Sequence, residues 1–116
     1  MWGGAKPIDL TDFVGNGGVT SAVDVAVGGS VSVTITKTPR FVWYITIPSS
    51  SANSVFAYLY DVANNVTLRI TKLQSGTSFT VATSSGAPSD LSITSNTVKI
   101  TNNATGTRSI GVSVIY

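Results

Sequence analysis

The chain has 116 residues, 42% of them apolar and only 10% charged, with 7 Lys and Arg against 5 Asp for a net charge of +2. It contains no His, Cys or Glu, which removes the usual general base, the thiolate nucleophile and the favoured transition-metal ligands. Ser and Thr supply 32 positions and Val, Ile and Thr supply 40, a vocabulary of half-buried strands rather than of catalysis.

Residues 1–18 differ from the rest. Gly3, Gly4, Gly15, Gly17 and Gly18 surround the short segment Ile8–Val14, the one stretch that could form a helical turn. We read these residues as an N-terminal arm, with Trp2, Ile8, Leu10 and Phe13 as apolar anchors that a solvated tail would not need. The arm lies either on a neighbouring subunit or over one end of its own domain, and residues 19–116 form that domain. Asp9 and Asp12 near Asn16 are too few oxygens for a cation site, and capping of the turn is the better reading. Gly15-Asn16-Gly17-Gly18 lacks the preceding strand and following helix of a phosphate loop.

From Val19 onward the hydrophobic period is two. Val23, Val25 and Val27, then Val31, Val33 and Ile35, alternate with small or polar residues on either side of Gly28-Gly29, which predicts a hairpin with a primed turn. Pro39 closes that strand. Phe41, Trp43, Ile45 and Ile47 share one face of the next strand, with Val42, Tyr44 and Thr46 on the other. Two apolar faces imply a central strand or one facing a partner.

A second hairpin is predicted for Val55–Val62 and Val66–Leu73 around Asn64-Asn65, with Val55, Ala57 and Leu59 available to the core. Further strands are expected at Phe79–Thr83, Leu91–Thr94, Val98–Thr101 and Ile110–Tyr116. Eight or nine strands separated by turn residues predict an all-β fold, an antiparallel β-sandwich of Ig-like or jelly-roll-like type.

Tyr44, Tyr58 and Tyr60 are candidate partner-binding residues, because tyrosine offers rigid amphipathic surface at low entropic cost. Against this, Phe56 and Tyr58 could fill the second layer of the sandwich. Lys37 and Arg40 flank Pro39, while Arg69, Lys72, Lys99 and Arg108 read as outward strand positions. Such a mildly basic face could meet an acidic capsid surface, but protection against edge-to-edge aggregation is the better reading. A Ser-His pair cannot be built, and Lys72 with Ser75 or Ser78 is a weak substitute. No catalytic, cofactor-binding or metal-binding residues are expected, and the weak positive charge does not predict nucleic-acid binding.

No stretch approaches 18 uninterrupted apolar residues, so no membrane span is expected, and the first residues lack the regions of a signal peptide, which implies synthesis in a cytosol. Asn65-Val66-Thr67 and Asn103-Ala104-Thr105 match the glycosylation sequon but read as turn asparagines. So little charge on a chain this apolar implies that other subunits cover part of its surface.

The Ser/Thr/Asn/Val-rich text, the missing Cys and His, the apolar arm and the ending Val98–Tyr116 resemble small accessory virion proteins of tailed bacteriophages, the head decoration (cement) proteins and the β-domains of head or tail fibres. That resemblance implies a virion protein, made in the host cytoplasm, that attaches to the major capsid protein or another virion component. It also implies a homo-oligomer, with a trimer favoured. The alternative is a carbohydrate- or receptor-binding tail-fibre module with a glycan as partner. A self-assembling coat subunit and an Ig-like adhesion module are further readings.

Overall fold

A computed structural model describes residues 22–116; the segment 1–21, with the arm anchors Trp2, Ile8, Leu10 and Phe13, lies outside the described residues. The described chain holds nine strands and no helix: β1 Val23–Val25, β2 Ser30–Thr34, β3 Phe41–Pro48, β4 Ser54–Asp61, β5 Val66–Leu73, β6 Phe79–Ser85, β7 Leu91–Ile93, β8 Thr97–Thr101 and β9 Arg108–Ile115. They form an antiparallel sheet of six strands in the order β1-β9-β3-β4-β5-β6 and a second of three in the order β2-β8-β7. The all-β sandwich expected from the period-two pattern is the fold.

The core lies where the small sheet covers β1, β9 and β3. Val31, Val33, Val98 and Ile100 point inward from the small sheet, and Val25, Val42, Tyr44, Ile110, Val112 and Val114 meet them from the large one. Ser32, Thr34, Lys99 and Ser92 take the alternate, exposed positions, as a pleated strand with one wet face requires.

The β4–β5 hairpin forms as predicted, with Tyr58 opposite Arg69, and Asn65 takes the left-handed conformation (φ 54°) in its turn. The Gly28-Gly29 hairpin does not form. β1 pairs with β9 while β2 pairs with β8, so the chain changes sheets between them. The glycines still turn the chain, with Gly28 at φ 83° and the Gly29 amide donating to the Ala26 carbonyl at 2.9 Å. The turn is then stitched to Asn102: the Gly28 amide donates to the Asn102 carbonyl and the Asn102 amide donates to the Gly29 carbonyl, both at 2.8 Å. Turning across the layers lets Val25 and Val31 meet inside the core, whereas a hairpin would set the two valine strands side by side in one sheet.

Six strands are too many for three to cover. The large sheet runs past the small one, and β6 is exposed along its whole length.

Candidate functional site: an uncovered sheet face and a polar cleft

Register assigns every side chain of the large sheet to one of two faces. On the inner face the rows across β9, β3, β4, β5 and β6 read Val114–Val42–Tyr60–Thr67–Ser84, then Val112–Tyr44–Tyr58–Arg69–Ala82, then Ile110–Thr46–Phe56–Thr71–Thr80. Each row is apolar under the small sheet, aromatic at its margin and largely polar beyond it. That is how a sheet half covered by protein and half by water should read.

The outer face follows a different rule. Its rows read Ser113–Trp43–Leu59–Leu68–Thr83 and Gly111–Ile45–Ala57–Ile70–Val81, and Val55 and Phe79 flank Lys72 in the next. Here the two middle rows are apolar from β3 to β5, and apolar text reaches β6 at Val81 and Phe79. Thr83, Lys72 and the end row Phe41–Asp61–Val66–Ser85 bring polar groups to the margin, and no described element lies over this face. Phe79 and Val81 are 64% and 55% exposed. Ile45, Val55, Ala57, Ile70, Lys72 and Phe79 line a hollow of about 290 Å³ on this face. In plan, four strands of seven residues cover about 400 Å². An area of that size is comparable to the largest apolar patch of an ordinary monomer, and such patches often serve a contact.

The polar part of the inner face holds a cleft. Tyr58 lines both a hollow of about 380 Å³ toward β5 and β6 and one of about 170 Å³ toward β8 and β9. Its ring stacks on Tyr44 with centroids 4.7 Å apart and planes 19° from parallel, and Phe56 stands 6.3 Å away. The wall of the cleft is the β6–β7 connection. The Gly86 amide donates to the Asn65 carbonyl at 2.7 Å, and Thr67 Oγ1 donates to the Gly86 carbonyl at 2.6 Å. Further along, the Asp90 carbonyl accepts from the Thr101 amide at 2.9 Å, and Asp90 Oδ1 accepts from the Tyr44 hydroxyl at 2.5 Å. Burial pushes the Tyr44 hydroxyl well above the usual phenol range, and the bonded Asp90 carboxylate adds to the shift. Tyr58 is raised as well, by burial first and then by Asp90, with Arg69 and Arg108 opposing.

Of the three predicted tyrosines, the structure brings Tyr44 and Tyr58 together and keeps one at a surface. Tyr44 is fully enclosed and Tyr60 is 7% exposed, its hydroxyl donating to Asn65 Oδ1 at 2.5 Å. Neither ring can therefore stack on a partner in this fold, and Tyr58 alone retains ring surface in a cleft. On β4 the reading in which Phe56 and Tyr58 fill the second layer holds: Phe56, Tyr58 and Tyr60 turn inward, while Val55, Ala57 and Leu59, the alternative for the core, lie on the uncovered side. Outer-face residues such as Ile70 and Phe79 were not singled out from the sequence. The signal was present in the apolar character of both faces of Phe41–Ile47 and Val55–Tyr60.

Arg108 does not project outward. It crosses β9 and β3, with Nη1 donating to Thr46 Oγ1 and the Ser54 carbonyl at 3.2 Å, and lies 5.3 Å from the Phe56 ring. Lys72 Nζ donates to the Leu73 and Gln74 carbonyls at 3.2 and 3.3 Å rather than to Ser75 or Ser78. Among the described residues no three His, Cys, Asp or Glu side chains converge on a metal position. Comparison with family models, with curated proteins and with solved structures finds no match to this chain.

Proposed function

We propose that this chain is a non-enzymatic virion structural protein, a capsid decoration or fibre protein, that self-associates through the outer face of its six-stranded sheet and attaches to a larger phage assembly through residues 1–18. The observation that carries the reading is the contrast between the two faces of β4–β6. Where the inner face emerges from the small sheet it turns largely polar, but the outer face of the same strands is mainly apolar, with Asp61, Lys72, Thr83 and Ser85 at its margin. Solubility alone would favour polar text on both sides, so the apolar rows serve a contact with protein. The sparse charge, 12 ionisable Lys, Arg and Asp side chains in 116 residues, fits a surface that neighbours cover. The phage context rests on the resemblance in composition and patterning. In this reading Trp2, Ile8, Leu10 and Phe13 are the anchors presented to the larger assembly, and the copies close into a symmetric oligomer.

Light scattering on the purified chain tests self-association, with an integral multiple of the chain mass expected. Phe79→Lys combined with Val81→Lys should shift it to single chains, because both residues are exposed on the outer face. A wild-type chain that stays single at every concentration would refute the reading. Removing residues 1–14 should preserve the oligomer and abolish co-sedimentation with capsid shells. Undiminished co-sedimentation would remove the arm from the mechanism.

A further inference from the structure

The polar cleft lies on the side of the sheet opposite the apolar rows, and association through those rows leaves it unexplained. Its components suit one class of small ligand. Tyr44 covers one side of Tyr58 and Arg69 is the neighbour on the other, as their shared row requires. Tyr44 thus supports the Tyr58 ring from one side, and Tyr58 and Arg69 together line the larger hollow. Sugar rings present C–H faces that pack on such a rigid aromatic plane.

Polar groups converge around the ring. Asp90 Oδ1 is taken by the Tyr44 hydroxyl, which fixes the carboxylate and leaves Oδ2 to accept from a ligand hydroxyl. Arg69 is exposed and, among the described residues, has no carboxylate within ion-pair distance; Arg40–Asp61 at 3.6 Å is the pair this region of the sheet forms. Ser84 and Ser89 add hydroxyls to the lining. The larger hollow, about 380 Å³, falls within the range of small-ligand sites, which begins near ~300 Å³. Arg69 interacts with the Tyr58 hydroxyl but has no carboxylate beside it, and its planar fork can hold a ligand carboxylate in a bidentate manner. A single cation in the lining is too little for a polynucleotide, whose binding draws on several phosphate contacts. The polar lining disfavours an apolar ligand.

We infer that this cleft binds an acidic saccharide, with a sugar ring on Tyr58, a hydroxyl donating to Asp90 and the sugar carboxylate paired with Arg69. The inference does not depend on the assembly reading, because the two surfaces are on opposite faces of the sheet.

Calorimetric titration of the full chain with a trigalacturonate, with neutral galactotriose and with sodium sulfate separates the contributions. The trigalacturonate is expected to bind saturably and at least tenfold more tightly than galactotriose, and sulfate is expected to show no saturable binding. Arg69→Gln should lower trigalacturonate affinity to the galactotriose level. Ser89→Trp, on an exposed loop position, should block both sugars without touching the core. Phe79→Lys with Val81→Lys should leave sugar binding unchanged, so loss of the oligomer and loss of the cleft are read separately. The inference is overturned if neither sugar binds, if Arg69→Gln leaves the preference intact, or if sulfate saturates the cleft as well as the acidic sugar does.

Discussion

Asn102 ties the sheet crossing to the loop that follows β8. It is 2% exposed, and its Nδ2 donates to the Val25 carbonyl at 2.8 Å and to the Gly106 carbonyl at 3.0 Å, while its Oδ1 accepts from the Ala104 amide at 2.9 Å. Asn102→Ala leaves these backbone groups without partners near the sheet crossing. The expected loss is on the order of 2–4 kcal/mol, read as a lower urea midpoint with an unchanged slope. Asn102→Asp should cost more, since it removes the donor and buries a charge. Tyr44 governs the alkaline limit. Its hydroxyl and that of Tyr58 stay protonated in the folded chain above the ordinary tyrosine value of 10.0, whereas the unfolded chain releases those protons. Their contribution is therefore fully present below about pH 10 and is lost as pH rises beyond it. Thermal unfolding across that range should show the fall, and Tyr44→Phe should make it shallower. At neutral pH the same change should cost about 1.5–3 kcal/mol for the bond to Asp90. Neither role was legible in the sequence. Asn102 sits beside a sequon-like turn, and its decisive partner, Val25, is 77 positions away.

Strand identity was legible wherever alternation and turn chemistry agreed. β4 and β5 show this best, because Asn65 can adopt the left-handed conformation that their turn needs. Asn65→Ala should lose about 1 kcal/mol to backbone strain and a further ~1 kcal/mol from the acceptor of the Tyr60 hydroxyl. Asn65→Gly should recover only the first part, and a denaturation series of the two variants checks the difference. Partner choice was not legible. Val23–Val25 and Ser30–Thr34 have the text of a hairpin, and two glycines serve a sheet crossing as well as they serve a primed turn. What decides is the demand of the core for apolar residues from both layers, and no local pattern carries that. Tyr58 illustrates the same limit: its alternation was plain, but the direction in which it points depends on where the small sheet stops.

The shape of the whole molecule follows from unequal sheets. Three strands cover about half of six, and the sequence answers with polar residues on one bare side and apolar residues on the other. Phe79 and Val81 stand apart from the core cluster, so Phe79→Lys and Val81→Lys should each change stability by no more than about 0.5 kcal/mol while changing the state of association. A large loss of stability with no change in mass would mean that these residues serve the fold alone. Apolar text on both faces of β3 was legible as a central strand or one facing a partner, but the extent of the apolar rows to β6 required the register. Trp43 sits within the outer rows and is the one tryptophan among the described residues. The protein thus carries its own optical gauge: with Trp2→Phe silencing the other indole, docking over this side should shift the fluorescence to shorter wavelength and shield it from iodide quenching, with no dye attached.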